Sequence, residues 1–265
     1  MVNRRGKLYL VGMGLSPRYL TVEAQEVISR ADVVLVEGYT SRLDISELAT
    51  ILKREDLRLV TRRDLEELSG RTILDMLDKG MDVVLITPGD PLVATTHVTL
   101  LIEAHRAGFE FHVVPGVSII PTAVAFCGLM IYKLGRVATV VYPKDGITFE
   151  YPYDIIKAND DRNLHTLLLL EYDGEKGIAM RAVDALKILK EIEERRRENV
   201  VVEDRLVAVA ASLGYPDFSV CIDKLEEVAK MDVKSVPQTL IFVSPRPHPV
   251  ELEMIEVVNS RWCRS

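Results

Sequence analysis

The stretch Thr87–His97, TPGDPLVATTH, concentrates side chains and turns that could do chemistry. Two prolines and a glycine fix an irregular loop directly after an apolar run, Asp82–Thr87. In open α/β sheets ligands bind outside the carboxyl ends of the strands, so a loop in this position is where a site belongs. Asp90 can accept hydrogen bonds from a ligand amine or hydroxyl, or it can bond its own backbone as an ordinary turn aspartate. Thr95, Thr96 and His97 open a helical pattern, and taken singly they are expected to cap it. Pro115-Gly116-Val117-Ser118-Ile119 is a second loop between an apolar run and a helical pattern. Its backbone could hold an adenosine or methionine group, or Ser118 could simply cap the helix. Gly12-Met13-Gly14 follows a third apolar run, and Glu37 ends the next. That pair partly imitates a dinucleotide fingerprint, but Pro17 stands where the third glycine belongs. No GxxxxGK[ST] phosphate loop, HExxH metal site or GxSxG nucleophile elbow occurs. His105 and His112 have no partner at metal-ligand spacing, and structural roles are expected for both.

These loops need elements to hold them. Lys7–Val11, Asp32–Glu37, Asp82–Thr87 and Phe109–Val114 read as strands, with a helix after Thr21, another ending at Gly108 and a third over Ser118–Phe126. Short apolar runs alternating with helices predict a largely parallel sheet covered on both faces. After Val137–Tyr142 the texture turns polar, with Pro143, Gly146 and Pro152, and a domain boundary is expected there. The expected fold class is α/β, with an N-terminal α/β domain over 1–143 and a C-terminal α/β domain over 144–265. In the second, His165–Glu171, Leu206–Ser212 and Thr239–Val243 read as strands and Ile178–Glu198 as the longest helix. Its charged run, Glu191–Glu198, is expected to be a solvated face with Glu191–Arg195 and Glu193–Arg197 pairs.

With 265 residues and a net charge of −7, the chain can bury a core without staples, and phosphate-driven binding of nucleic acid is disfavoured. Cys127, Cys221 and Cys263 are far apart with no ligand spacing, which predicts free thiols in a reducing cytosol. The opening MVNRRGKLYLVGMGL is read as leading into a strand and not as a signal peptide, because its apolar run is short and meets Ser16-Pro17. Val113–Tyr132 carries no charge, but Pro115, Gly116, Pro121 and Gly128 break it before it could span a bilayer. No membrane association is expected.

Several of these segments together resemble the diphthine synthase family. They are Gly12-Met13-Gly14-Leu15, EGYTS at Glu37–Ser41, TPGDPLVATTH, GLMIYKLG at Gly128–Gly135, ATVVYP at Ala138–Pro143 and HTLLLLE at His165–Glu171. PGDP marks the wider tetrapyrrole methylase superfamily, and LVATTH with IYK and HTLL points to the diphthine branch. The resemblance implies two α/β domains with a cofactor cleft between them, forming a homodimer in the cytoplasm. It implies S-adenosylmethionine as cofactor, S-adenosylhomocysteine as product and no metal. Carried over by position, the cofactor contacts are Leu15, Asp90, Val93, Ser118, Ile119, Leu170 and Leu213. Gln238 stands where the family usually has histidine and cannot be cationic. The implied reaction trimethylates the amino group of a carboxy-aminopropyl histidine on translation elongation factor 2, forming diphthine in diphthamide biosynthesis. No catalytic base is assigned; Tyr39, Thr40, Thr95, Thr96, His97 and Lys133 are candidates to face the substrate. The alternatives are a tetrapyrrole (corrin/porphyrin) methyltransferase, a nicotinamide-dependent oxidoreductase built on Gly12, Gly14 and Glu37, and a binding module without catalysis.

Overall fold

A computed structural model of the chain describes residues 5–263, so residues 1–4 of the basic opening lie outside the described residues. Contacts divide the chain into two units. One runs to Ser118 and includes Gly174–Lys176; the other comprises Ile119–Asp173 and the residues from Gly177 onward. The division falls before the expected boundary at 143/144, because residues 138–140 already form a strand of the second unit's sheet.

The first unit is built from β1 (Lys7–Gly12), α1 (Val22–Arg30), β2 (Val33–Glu37), α2 (Ile45–Leu52), β3 (Arg58–Val60), α3 (Arg71–Asp78), β4 (Val83–Thr87), α4 (Val98–Arg106) and β5 (Glu110–Val114). Its sheet has the order β3-β2-β4-β1-β5, and all its pairings are parallel. β2 and β4 are buried along their whole length, which is why they read as unbroken apolar runs. Alternate residues feed two cores. Ala24 and Ile28 of α1 and Leu48 of α2 pack on Val34, Val36, Val84 and Ile86. Ile73 and Leu77 of α3, with Leu100, Leu101 and Ala104 of α4, pack on Leu8, Leu10, Leu35 and Leu85. α1 and α4 therefore cover opposite faces although the strands they follow, β1 and β4, are neighbours. The chain diverges to either side of the sheet at that pair, leaving a crevice at their carboxyl ends. Thr21 caps α1 as expected, its Oγ1 accepting from Ala24 N at 3.0 Å.

The second unit contains α5 (Ile119–Phe126), β6 (Ala138–Val140), α6 (Tyr151–Asp160), β7 (Thr166–Leu170), β8 (Tyr172–Asp173), β9 (Ile178–Ala179), α7 (Ala182–Arg196), β10 (Leu206–Ala211), β11 (Ser219–Lys224), α8 (Leu225–Val228), β12 (Gln238–Phe242) and α9 (Pro249–Trp262). Its larger sheet, β11-β10-β12-β7-β6, is mixed: β6 and β7 are parallel, and the other neighbours run antiparallel. α7 buries Ala185, Leu186, Ile188, Leu189 and Ile192, its core stripe.

Two expectations fail in this unit. The charged run of α7 is not simply a solvated face. Glu193 accepts from Tyr153 Oη and from the backbone N–H of Asn199, Val200 and Val201, while Arg196 pairs with Glu150, Asp154 and Glu198. Nor are all the cysteines free. Cys221 of β11 and Cys263, just past α9, form a disulfide across 42 residues, and only Cys127 among the described residues is a free, buried thiol. Among the described residues no helix is long and apolar enough to cross a membrane.

Candidate cofactor site

The loops that follow β1, β4 and β5 meet backbone to backbone. Gly14 and Gly89 exchange two hydrogen bonds, N to O at 3.0 Å and 2.9 Å, with Met13 N donating to Thr87 O at 2.8 Å. Gly14 and Gly89 have φ of +78° and +68°, a region that L side chains rarely adopt. The β5 loop presses on this pair from the other side. A Cβ on Gly116 would stand 2.2 Å from Gly89 O, and one on Gly12 would stand 2.6 Å from Gly116 N. Glycine at 12 and 116 is therefore a requirement of close approach, and three loops are locked where the chain diverges.

Asp90 makes the turn bond that the sequence allowed and a second bond across the loops. Its Oδ1 accepts from Leu92 N at 2.9 Å, a turn bond, and its Oδ2 accepts from Gly116 N at 3.2 Å, which ties the β4 and β5 loops together. The carboxylate is half-buried and keeps lone pairs for a ligand. Leu15 is half-buried, and Leu92 and Val93 are 46% and 37% exposed, so the same loop cluster offers apolar surface. A Cβ on Gly89 would meet nothing within 4 Å, so open space adjoins the backbone at the loop tip. Polar backbone, one carboxylate and exposed aliphatic side chains suit a cofactor with an adenosine and an amino-acid end. Ser118, half-buried, closes the β5 loop, and Ile119 is the first residue of α5 in the second unit.

Within the second unit, Leu170 ends β7 and Leu213 follows β10, both buried. Gln238 begins β12, and its side chain is committed to the protein. Oε1 accepts from Ala182 N at the start of α7 at 2.7 Å, and Nε2 donates to Val233 O and Ser235 O at 2.8 and 2.9 Å. Any contact of this residue with a ligand would therefore run through its backbone.

The other candidates sort clearly. Thr95 Oγ1 donates to Pro91 O at 2.6 Å and Thr96 Oγ1 to Glu66 Oε1 at 3.3 Å, and His97 makes no cap bond, so none of the three caps α4 as expected. His97 and Tyr39 are buried, whereas Thr40 is half-buried. Glu37 is fully buried, and its carboxylate accepts from Tyr39 N, Thr40 N and Thr40 Oγ1, so the acid of the dinucleotide-like pattern is not presented to a ribose. Lys133 serves the second unit's interior: Nζ donates to Ser244 Oγ and Arg246 O, 3.5 Å from Glu251. Glu251 also accepts from Met130 N and from His165 Nε2, both at 2.8 Å. IYK and HTLL thus carry a structural network. The glycine contacts at 12, 89 and 116 are what sequence reasoning missed; their only signal was a glycine soon after each of three strands.

The family described as Tetrapyrrole (Corrin/Porphyrin) Methylases matches residues 7–229, so fold and site define a methylase of that class. Diphthine synthase of Pyrobaculum calidifontis is 43% identical over 254 residues, 96% of this chain and 99% of the relative, and that of Saccharolobus solfataricus is 36% identical over 96% and 97%. A crystal structure of diphthine synthase superposes with a TM-score of 0.84 at 30% identity, covering 96% of each chain. The chain belongs to the diphthine synthase family of these methylases.

Proposed function

We propose that the protein uses S-adenosylmethionine to trimethylate the amino group of a carboxy-aminopropyl histidine on translation elongation factor 2. The reading rests on the locked glycine loops at the divergence of β1 and β4, in a chain similar along 96% of its length to a diphthine synthase. The donor supplies an activated sulfonium methyl, so the protein's task is alignment and exclusion of water. Gly14, Gly89 and Gly116 hold backbone groups at fixed positions, Asp90 offers its spare lone pairs to a ligand amine or hydroxyl, and Leu15, Leu92 and Val93 shed water. The attacking amine must be neutral, and apolar surroundings favour that form. Ser118, Ile119, Leu170, Leu213 and the backbone of Gln238 are carried over as further contacts on family resemblance. The same resemblance supports a homodimer working in the cytoplasm, where a translation factor is met.

The test is to incubate the purified protein with S-adenosylmethionine and elongation factor 2 bearing the carboxy-aminopropyl histidine, then weigh the histidine peptide. A gain of three methyl groups is the expected outcome. No gain with cofactor binding intact by calorimetry points to a tetrapyrrole acceptor, and loss of both overturns the methyltransferase reading.

A further inference from the structure

β6 and β7 are the one parallel pair among the described strands of the second unit's larger sheet. Their carboxyl ends lie side by side, the place where parallel strands open room for a ligand. Val140 of β6 pairs with Leu170 of β7, one of the residues carried over as cofactor contacts, and Glu171 N donates to Val140 O at 3.0 Å. Tyr142 stands two residues beyond Val140 and is 36% exposed. Its backbone N–H donates to Glu171 Oε2 at 2.7 Å, and its hydroxyl donates to Asp184 Oδ2, in the first turn of α7, at 3.2 Å. The polar ends of ATVVYP and HTLLLLE therefore meet at this point. Lys144 and Arg181, 3.4 and 3.8 Å from Glu171 and Asp184, steady the two carboxylates that hold the tyrosine. Burial, and then Asp184, push the phenol above its ordinary value against the opposing pull of Arg181, so the hydroxyl keeps its proton. A hydroxyl has one proton to give and two lone pairs. Tyr142 spends its proton on Asp184, so its oxygen has only lone pairs left to offer, which suits an N–H and opposes a carboxylate.

We propose that Tyr142 orients the acceptor amine: its Oη accepts an amine N–H and so selects the amine, over the carboxylate of the same substrate side chain, as the group to be methylated. This rests on the methyltransferase reading above. A neutral primary amine carries two N–H bonds and one lone pair in tetrahedral directions, so holding an N–H restricts where the lone pair points. In each transfer the nitrogen lone pair forms the new N–C bond while the S–C bond to the methyl breaks and leaves its electron pair on sulfur. The resulting ammonium of the first two transfers then gives one proton to water. The neutral amine offers two N–H bonds before the first transfer, one before the second and none before the third. Tyr142 therefore acts on the first two transfers and not on the third, and the trimethylammonium product has no N–H with which to hold it. Tyr142 touches the substrate; Asp184 and Glu171 act through it as positioning residues.

Tyr142→Phe removes the hydroxyl and leaves the ring, which makes it the test. Calorimetry with S-adenosylhomocysteine present compares elongation factor 2 carrying the carboxy-aminopropyl histidine with the same factor carrying its trimethyl form. The variant should bind the amine form about 10-fold more weakly than wild type does, and the trimethyl form equally well. Single-turnover methylation, read by peptide mass, should show the first and second transfers slowed by about 10-fold or more and the third unchanged. A uniform loss across all three transfers, or an equal loss of affinity for both forms, is what a merely structural role gives and would overturn the assignment. A variant identical to wild type overturns it too. If wild type itself transfers no methyl group, the methyltransferase reading fails and the assignment goes with it; normal wild-type transfer with any of those variant results sinks Tyr142 alone.

Discussion

At the scale of single residues, the site depends on side chains that are missing. Gly12 and Gly116 lie so close to neighbouring backbone that a methyl group would push the loops apart. Gly116→Ala should weaken S-adenosylmethionine binding at least about 10-fold and cost about 1–3 kcal/mol of stability, while circular dichroism shows the fold retained. Calorimetry against wild type checks it; unchanged affinity would mean the close approach is irrelevant to the ligand. Gln238 shows the opposite case. A neutral amide replaces the family's histidine, and both its ends are bonded to carbonyls and an N–H of its own unit. Its oxygen caps the start of α7 and its nitrogen ties down the segment before β12, so its side chain works as a clamp.

At the scale of elements, helix ends are held by carboxylates of their own terminal turns. Glu193, in the last turn of α7, gathers three N–H groups of the following turn and the Tyr153 hydroxyl. Burial alone would raise its carboxyl, but those donors, Val201 N foremost, bring it from 4.5 to about 2. A carboxyl lowered on folding stabilises fully above its unfolded value and loses that contribution as pH falls from about 4.5 toward 2. Glu193→Gln should therefore cost about 1–3 kcal/mol at neutral pH and flatten the acid side of the stability profile between those values. Urea unfolding across that range measures it; parallel profiles for the two proteins would contradict the assignment. α9 is anchored in the same manner at its start, where Glu251 collects Met130 N, His165, Lys133 and His248 N.

At the scale of the whole molecule, the second unit carries a covalent tie. The Cys221–Cys263 bond joins β11 to the end of α9 across 42 residues, beside the packed rings of Phe126, Phe218 and Trp262. Closing a loop of that size stabilises by about 2–4 kcal/mol through the unfolded chain. Cys263→Ser, or a reductant, should lower the thermal midpoint accordingly while leaving S-adenosylmethionine affinity intact, because the tie joins β11 to the end of α9 and neither carries a proposed cofactor contact. Melting with and without reductant, paired with calorimetry, is the check; an unchanged midpoint would mean the tie contributes nothing.

Local pattern makes four strands of the first sheet legible and misses the fifth, the short, largely exposed Arg58–Val60. Unbroken apolar runs such as Val83–Thr87 announce strands buried on both faces, glycines after them announce tight loops, and Thr21 announces a helix start. The loop at Pro88–Pro91 could be placed at a strand's carboxyl end for the same reason. Hidden from that reading was whatever depends on a partner far along the chain. β10 and β12 look like the parallel strands of the first unit, yet each pairs antiparallel with its neighbours, because burial on both faces erases the alternation that would tell them apart. The disulfide spans 42 residues and the His165–Glu251 bond 86, so no spacing rule predicts either. His97 reads as a helix cap or a substrate-facing group in one dimension; only packing shows it sealed beside Glu37, since burial is a property of neighbours and not of type. Composition and periodicity determine elements, because they act within a few residues; contacts, and therefore chemistry, are set by which elements the fold brings together.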